Sequence, residues 1–95
     1  MIAIVLPAFN EEESIPSLIE NIRRISRKRL PEGVIIIVVD DGSTDNTATC
    51  VQALARSDIV LLQHPNNMGL GEAIRTGLLH SISLSPEVDV IKQPS

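Results

Sequence analysis

Val34-Ile35-Ile36-Ile37-Val38-Val39-Asp40-Asp41-Gly42-Ser43-Thr44-Asp45 is the stretch on which the fold turns. Its first six residues are all β-branched and leave no polar face, so they read as a central strand covered on both sides. The polar half that follows breaks the strand sharply, with turn residues of the kind that start a helix. A strand covered on both faces needs helices on both faces. The expectation is therefore alternating strand–helix units joined by right-handed crossovers into a parallel sheet.

The same design lies on either side of that stretch. Upstream, Ile2 to Leu6 is a short apolar run that reads as a buried strand, and Pro7 is expected to end it because proline cannot donate to a sheet ladder. A helix is predicted from Ser14 to about Lys28, with Pro16 in its first turn and Ile15, Leu18, Ile19, Ile22 and Ile25 as its buried stripe. Glu11, Glu12 and Glu13 suit the positive end of that helix, and the run Arg23, Arg24, Arg27, Lys28 and Arg29 suits its negative end as a solvated face. A contact surface for anionic lipid headgroups or a neighbouring domain is the alternative for that run. Downstream, a helix is predicted to about Arg56, with Ala48, Val51, Leu54 and Ala55 inward. A strand from Ile59 to Gln63 follows, then a helix from Gly71 to Ser83 with Ile74, Leu78 and Ile82 inward. Val88-Asp89-Val90-Ile91 opens a fourth strand.

Composition narrows the class. Ninety-five residues make one domain at most, and 43% apolar with 21% charged residues is a globular balance. A net charge of −4 and a pI of about 5.0 give no positive field for nucleic acid. One cysteine excludes an internal disulfide and a cysteine zinc cluster, and fits a reducing, cytoplasmic setting. No apolar run reaches the ~20 residues of a membrane helix. No basic leader precedes the first strand, so no signal peptide is expected.

Ligands of open parallel sheets bind beyond the carboxyl ends of the strands. Those ends carry Pro7-Ala8-Phe9-Asn10-Glu11, then Asp40-Asp41-Gly42-Ser43, then His64-Pro65-Asn66-Asn67. The first loop has no glycine and three consecutive glutamates, which excludes a pyrophosphate-cradling dinucleotide turn; a Gly-Lys-Ser/Thr phosphate loop is missing as well. Carboxylates there suit the base and ribose of a nucleotide, whose N–H and O–H groups are donors. Asp41 is placed to accept from a base imide and Glu11 from a ribose hydroxyl, with Phe9 or the Pro7 ring packed on the base. Each has a plainer reading: Asp40 and Asp41 as helix caps, Phe9 as core, and Ser43 and Asp45 as cap residues. Cys50 reads as buried and structural, and His64 as a loop residue.

The segments Ile4-Val5-Leu6-Pro7-Ala8-Phe9-Asn10-Glu11-Glu12 and Val38-Val39-Asp40-Asp41-Gly42-Ser43-Thr44-Asp45 together resemble family-2 glycosyltransferases of the GT-A fold. Within these, the likeness is to dolichyl- or polyprenyl-phosphate sugar transferases. Asn66-Asn67-Met68-Gly69-Leu70-Gly71-Glu72-Ala73-Ile74-Arg75-Thr76-Gly77 is similar to a third segment of that family. The resemblance implies an α/β fold: a three-layer α/β/α, Rossmann-like half-domain with parallel strands in the order strand–helix through to a fourth strand. Residues 1–95 would then be a single, truncated, amino-terminal nucleotide-sugar-binding part of a glycosyltransferase domain. It places Pro7, Phe9 and Glu11 on the base and ribose, Asp41 on the base, Asp40 behind the turn, and Gly69, Gly71 and Arg75 near the nucleotide. The donor implied is a UDP- or GDP-sugar, and the acceptor a polyprenyl or dolichyl phosphate at the cytoplasmic membrane face.

The family also places an Asp-x-Asp after its fourth strand to bind Mg²⁺ or Mn²⁺, which neutralises the leaving diphosphate. Here the sequence beyond Asp89 reads Val90-Ile91-Lys92-Gln93-Pro94-Ser95, and Asp89 is expected before the strand, so no metal or catalytic role is carried onto it. The chain alone is expected to be catalytically dead and to bind nucleotide weakly. The alternative function is a non-catalytic nucleotide-binding or interaction module that has lost the metal motif. A phospho-accepting receiver domain fails because its acidic pair follows the first strand. An aspartate-nucleophile phosphatase fails because its first Asp is Val39 here.

Overall fold

The computed structural model describes residues 1–84 and 89–92. The elements are β1 (Ile2–Ala8), α1 (Ile15–Arg29), β2 (Val34–Asp40), α2 (Thr47–Leu54), β3 (Ile59–Gln63), α3 (Leu70–Leu84) and β4 (Asp89–Lys92). All strand pairings are parallel, in the spatial order β3-β2-β1-β4. The chain steps outward from β1 through β2 to β3, then returns across the sheet to place β4 on the far side of β1. Strand order therefore reverses between β1 and β4, the kind of place at whose carboxyl ends ligands of such sheets bind.

Alternation along the strands builds a core on each face. Leu6, Ala8, Ile36, Val38 and Ile59 pack with Ile15, Ile19 and Val51 of α1 and α2. Ala3, Ile37 and Val39 pack with Ala73 of α3 on the other face. The result is the expected three-layer α/β/α arrangement, with Ile36 to Val39 buried throughout.

Several residues take places other than the sequence pattern suggests. Pro7 does not end β1 but lies inside it, opposite Val39. Ile2 donates to Gly33 and Ala8 accepts from Asp41, both on the β2 side. By alternation Pro7 faces the β4 side, where the described pairing runs as far as Val5 with Lys92, so among the described residues its missing N–H breaks no ladder bond.

On α1 the buried residues are Ile15, Ile19 and Arg23, while Leu18 and Ile25 are exposed. Arg23 is not part of a solvated face. Its guanidinium forks onto both Asp58 oxygens at 2.8 and 2.9 Å, and also donates to the Leu54 carbonyl and to Glu20. Asp58 and Glu20 hold its pKa above the ordinary value against the opposing effect of burial. Helix α2 stops at Leu54, short of Arg56, and Ala55 is exposed.

On α3 the buried residues are Ala73, Gly77 and Ser81, one position out of phase with the predicted stripe, and Ile82 is exposed. Gly77 explains the phase. A Cβ there would sit 2.3 Å from Val5 Cγ1, so α3 approaches the sheet closer than a stripe of large residues allows. Asp89 is the first residue of β4 rather than a residue ahead of it, at the amino end of the strand.

Candidate functional site

The carboxyl-end loops are laced together by polar side chains. Asn10 adopts φ +52°, a conformation that asparagine tolerates better than most residues. Its N–H donates to Ser43 Oγ at 2.9 Å, and its Oδ1 accepts from the Thr44 N–H at 2.9 Å and the Asp45 N–H at 3.3 Å. Glu11 N–H donates to Thr47 Oγ1, and Glu12 N–H to Asp45 Oδ2. The loop after β1 is thus fastened to the turn after β2. That turn closes on itself, because Asp40 Oδ1 accepts from the Ser43 N–H at 3.1 Å. Gly42, at φ +72°, lies directly under the Asn66–Asn67 backbone, where any Cβ would collide at 2.3 Å.

Asp41 joins this assembly to α3. Its Oδ1 accepts from the Met68 N–H at 2.9 Å and lies 2.7 Å from His64 Nδ1; its Oδ2 accepts from the Gly69 N–H at 2.9 Å. The carboxylate therefore sits at the positive end of α3. Burial pushes the Asp41 carboxyl up, but the His64 ring and the Met68 and Gly69 N–H groups outweigh it and hold the carboxyl below its ordinary range. A carboxylate offers about four lone pairs, and three are taken here, which leaves one on Oδ2.

Asp41 lines a cleft of about 220 Å³ together with Pro7, Ala8, Phe9, Asn67, Gly69, Leu70 and Ala73. The cleft lies at the carboxyl ends of β1 and β2, beside the start of α3. Phe9, the single aromatic residue, is 39% exposed and forms one wall rather than core. The cleft can take a flat, partly apolar group and offer it one charged acceptor.

Of the residues singled out from the sequence, Pro7, Phe9, Asp41 and Gly69 meet here. Glu11 does not: it lines an adjoining acidic cavity with Glu12, Glu13 and Asp45, and its carboxylate accepts from Ser14 Oγ at 2.8 Å. Asp40 is buried behind the turn. Gly71 and Arg75 lie outside the lining, Arg75 exposed and 3.7 Å from Glu72. Cys50 is half-buried, its Sγ 3.8 Å from the Glu12 carbonyl.

His64 is not a plain loop residue. It is largely buried and bridges Asp41 to Thr76. The register pairs Asp40 with Gln63, which sets the next residues, Asp41 and His64, side by side. Among the described residues no group of three or more His, Cys, Asp or Glu is disposed to hold a metal ion. With both acidic-pair carboxylates committed to the chain, no chemical step is assigned to a cation from these residues. A larger cavity of about 360 Å³ lies at the other end of the sheet, beside Arg27, Val34 and Arg56. It touches no carboxyl strand end, and the Arg23–Asp58 pair forms part of its wall.

The profile of the family described as Glycosyl transferase family 2 matches residues 3–83. The chain is 40% identical over 86 residues to "Dolichyl-phosphate beta-glucosyltransferase ALG5D" of Trichomonas vaginalis, covering 84% of this chain and 26% of that protein. It is 39% identical over 82 residues to "Bactoprenol glucosyl transferase" of Shigella phage SfX, covering 84% and 26% respectively. The same identity and coverage hold for "Prophage bactoprenol glucosyl transferase homolog" of Escherichia coli. The chain thus spans about a quarter of the length of these relatives.

Proposed function

The chain belongs to glycosyl transferase family 2, and from that premise we propose that residues 1–95 are the nucleotide-recognising part of a polyprenyl-phosphate sugar transferase. The donor is a UDP- or GDP-sugar and the acceptor a polyprenyl or dolichyl phosphate. The names of the relatives support this acceptor class. No helix among the described residues is long and apolar enough to cross a membrane.

One observation carries the reading: a buried Asp41, held ionised and with one Oδ2 lone pair unclaimed by the chain, is among the residues that line a cleft with Pro7 and Phe9. The base enters between the rings of those two residues and the start of α3, and its ring N–H donates to Asp41 Oδ2. A carboxylate cannot donate. Uracil and guanine, which carry a ring N–H donor, are therefore accepted, while cytosine and adenine present a lone pair at the corresponding nitrogen and are rejected. Stacking on Phe9 adds ~1–3 kcal/mol. Glu11 is engaged with Ser14 outside the cleft, so the ribose contact is not assigned to it. Leaving-group stabilisation and activation of the acceptor need groups that these residues do not bring together. The chain is accordingly a binding part with no turnover of its own.

Titration calorimetry with UDP, GDP, CDP and ADP tests this. The expected result is saturable binding of UDP or GDP, weakened about tenfold in Phe9→Ala by loss of stacking and abolished in Asp41→Asn, whose amide cannot keep all three internal bonds. Equal binding of all four nucleotides, or of none, would contradict the proposal.

A further inference from the structure

Nucleotide recognition as set out above uses Asp41 but leaves unexplained why a histidine stands behind it. Asp41 Oδ1 lies 2.7 Å from His64 Nδ1, and His64 Nε2 lies 2.8 Å from Thr76 Oγ1. The His64 side chain is 10% exposed and that of Asp41 6%. The His64 backbone is fixed too, its N–H donating to the Asp40 carbonyl at 2.9 Å. The ring thus ties the ends of β2 and β3 to α3.

Chemistry decides the proton. An ionised carboxylate only accepts, so Nδ1 must carry a hydrogen. In the neutral ring Nε2 is then a lone pair, and the Thr76 hydroxyl donates to it. In that tautomer both ring nitrogens and the Thr76 hydroxyl have partners, and no buried side-chain nitrogen or oxygen among the described residues is left without one.

We propose that His64 is a positioning residue for the nucleotide site. Its Nδ1–H fills the second lone pair of Asp41 Oδ1, so the carboxylate meets a ligand through Oδ2 alone. Without the ring, Oδ1 regains a free lone pair, and the carboxylate can turn to accept from more than one direction. Selectivity for a base with a single ring N–H at a fixed place then falls. The ligand in this inference rests on the nucleotide reading; the proton arrangement does not.

Two measurements on the 95-residue chain separate the two. Long-range ¹H–¹⁵N spectra at neutral pH report the His64 tautomer, with His80, which is absent from the relay, as internal control. A single Nδ1–H form supports the proposal. An Nε2–H form, or rapid averaging between tautomers, overturns it.

Calorimetry then gives the UDP-over-CDP affinity ratio. His64→Leu is expected to lower that ratio about tenfold, the size of one hydrogen bond to a charged acceptor. His64→Asn, which can place a side-chain N–H near the Nδ1 position, is expected to restore most of it. An unchanged ratio in His64→Leu overturns the proposal. Should that variant fail to fold, Thr76→Val is read instead: the ring loses its Nε2 partner, and the ratio is expected to fall about threefold. An unchanged ratio there overturns the proposal in the same way. If the parent chain binds neither nucleotide, the nucleotide reading fails, and the tautomer alone decides whether His64 sets the carboxylate.

Discussion

Asn10 and Asp41 are the two side chains that turn separate loops into one surface. Asn10 combines a left-handed backbone with an oxygen that gathers two N–H groups from the next unit. Asn10→Ala is expected to cost about 2–3 kcal/mol, and Asn10→Gly less, because glycine relieves the backbone strain but not the lost bonds. Urea denaturation of both variants checks this, and equal losses would show that strain contributes nothing. The carboxyls of Asp41 and Asp58 are both held below the ordinary range, the latter chiefly by its hydrogen bond to Arg23. A depressed carboxyl contributes stability above the unfolded value of about 3.9, and that stability is lost as pH falls toward the folded value. Stability is therefore expected to decline below about pH 4, and more shallowly in Asp41→Asn than in the parent. The same slope in both would contradict the assignment. At this scale the sequence made the acidic pair and Phe9 conspicuous. It hid His64 and the clip made by Asn10, because their partners lie 23 and 34 positions away.

The strands were legible because a run such as Val34 to Val39 has a single stable environment, buried on both faces. Helix phases were less so. Apolarity alone chose Leu18 and Ile25 on α1, yet the face that turns inward carries Arg23, whose burial depends on Asp58 at the far end of the second unit. Arg23→Ala removes the fork and leaves Asp58, 31% exposed, partly hydrated. After allowance for that hydration the expected cost is about 1–3 kcal/mol, with Arg23→Lys intermediate, since an ammonium cannot make both bonds. On α3 the inward residues are small, and Gly77 is the tightest point. Alanine is favoured over glycine in a helix by about 1 kcal/mol. Here its Cβ meets Val5, a stiff β-branched residue buried in the central sheet. Gly77→Ala is therefore expected to destabilise by about 1–2 kcal/mol net, as read by thermal melting; a more stable variant would mean that α3 can lift from the sheet without penalty.

A radius of gyration of 12.4 Å matches a folded domain of this length, although the chain covers about a quarter of its relatives. The sheet has two lateral strands, β3 and β4, while Leu79 and Ile82 are exposed on α3. Such edges and patches favour self-association. Sedimentation velocity is expected to show reversible association that grows with concentration, and a strictly monomeric chain at high concentration would count against it. The parallel alternation of strand and helix was readable from the order of its units, whereas the spatial order β3-β2-β1-β4 was not. The geometry of the cleft, including which carboxylate lines it and which turns away, depended on contacts between units that no local pattern encodes.

Nucleotide recognition as proposed requires the base to lie in the crevice between the ends of β1 and β2 and the start of α3. Backbone amide shifts of the ¹⁵N-labelled chain, followed during titration with UDP and then GDP, test it directly. The expected changes saturate and centre on Phe9, Asp41, Met68 and Gly69. Changes centred instead on Arg27, Val34 and Arg56 at the opposite end of the sheet, or no saturable change anywhere, would contradict it.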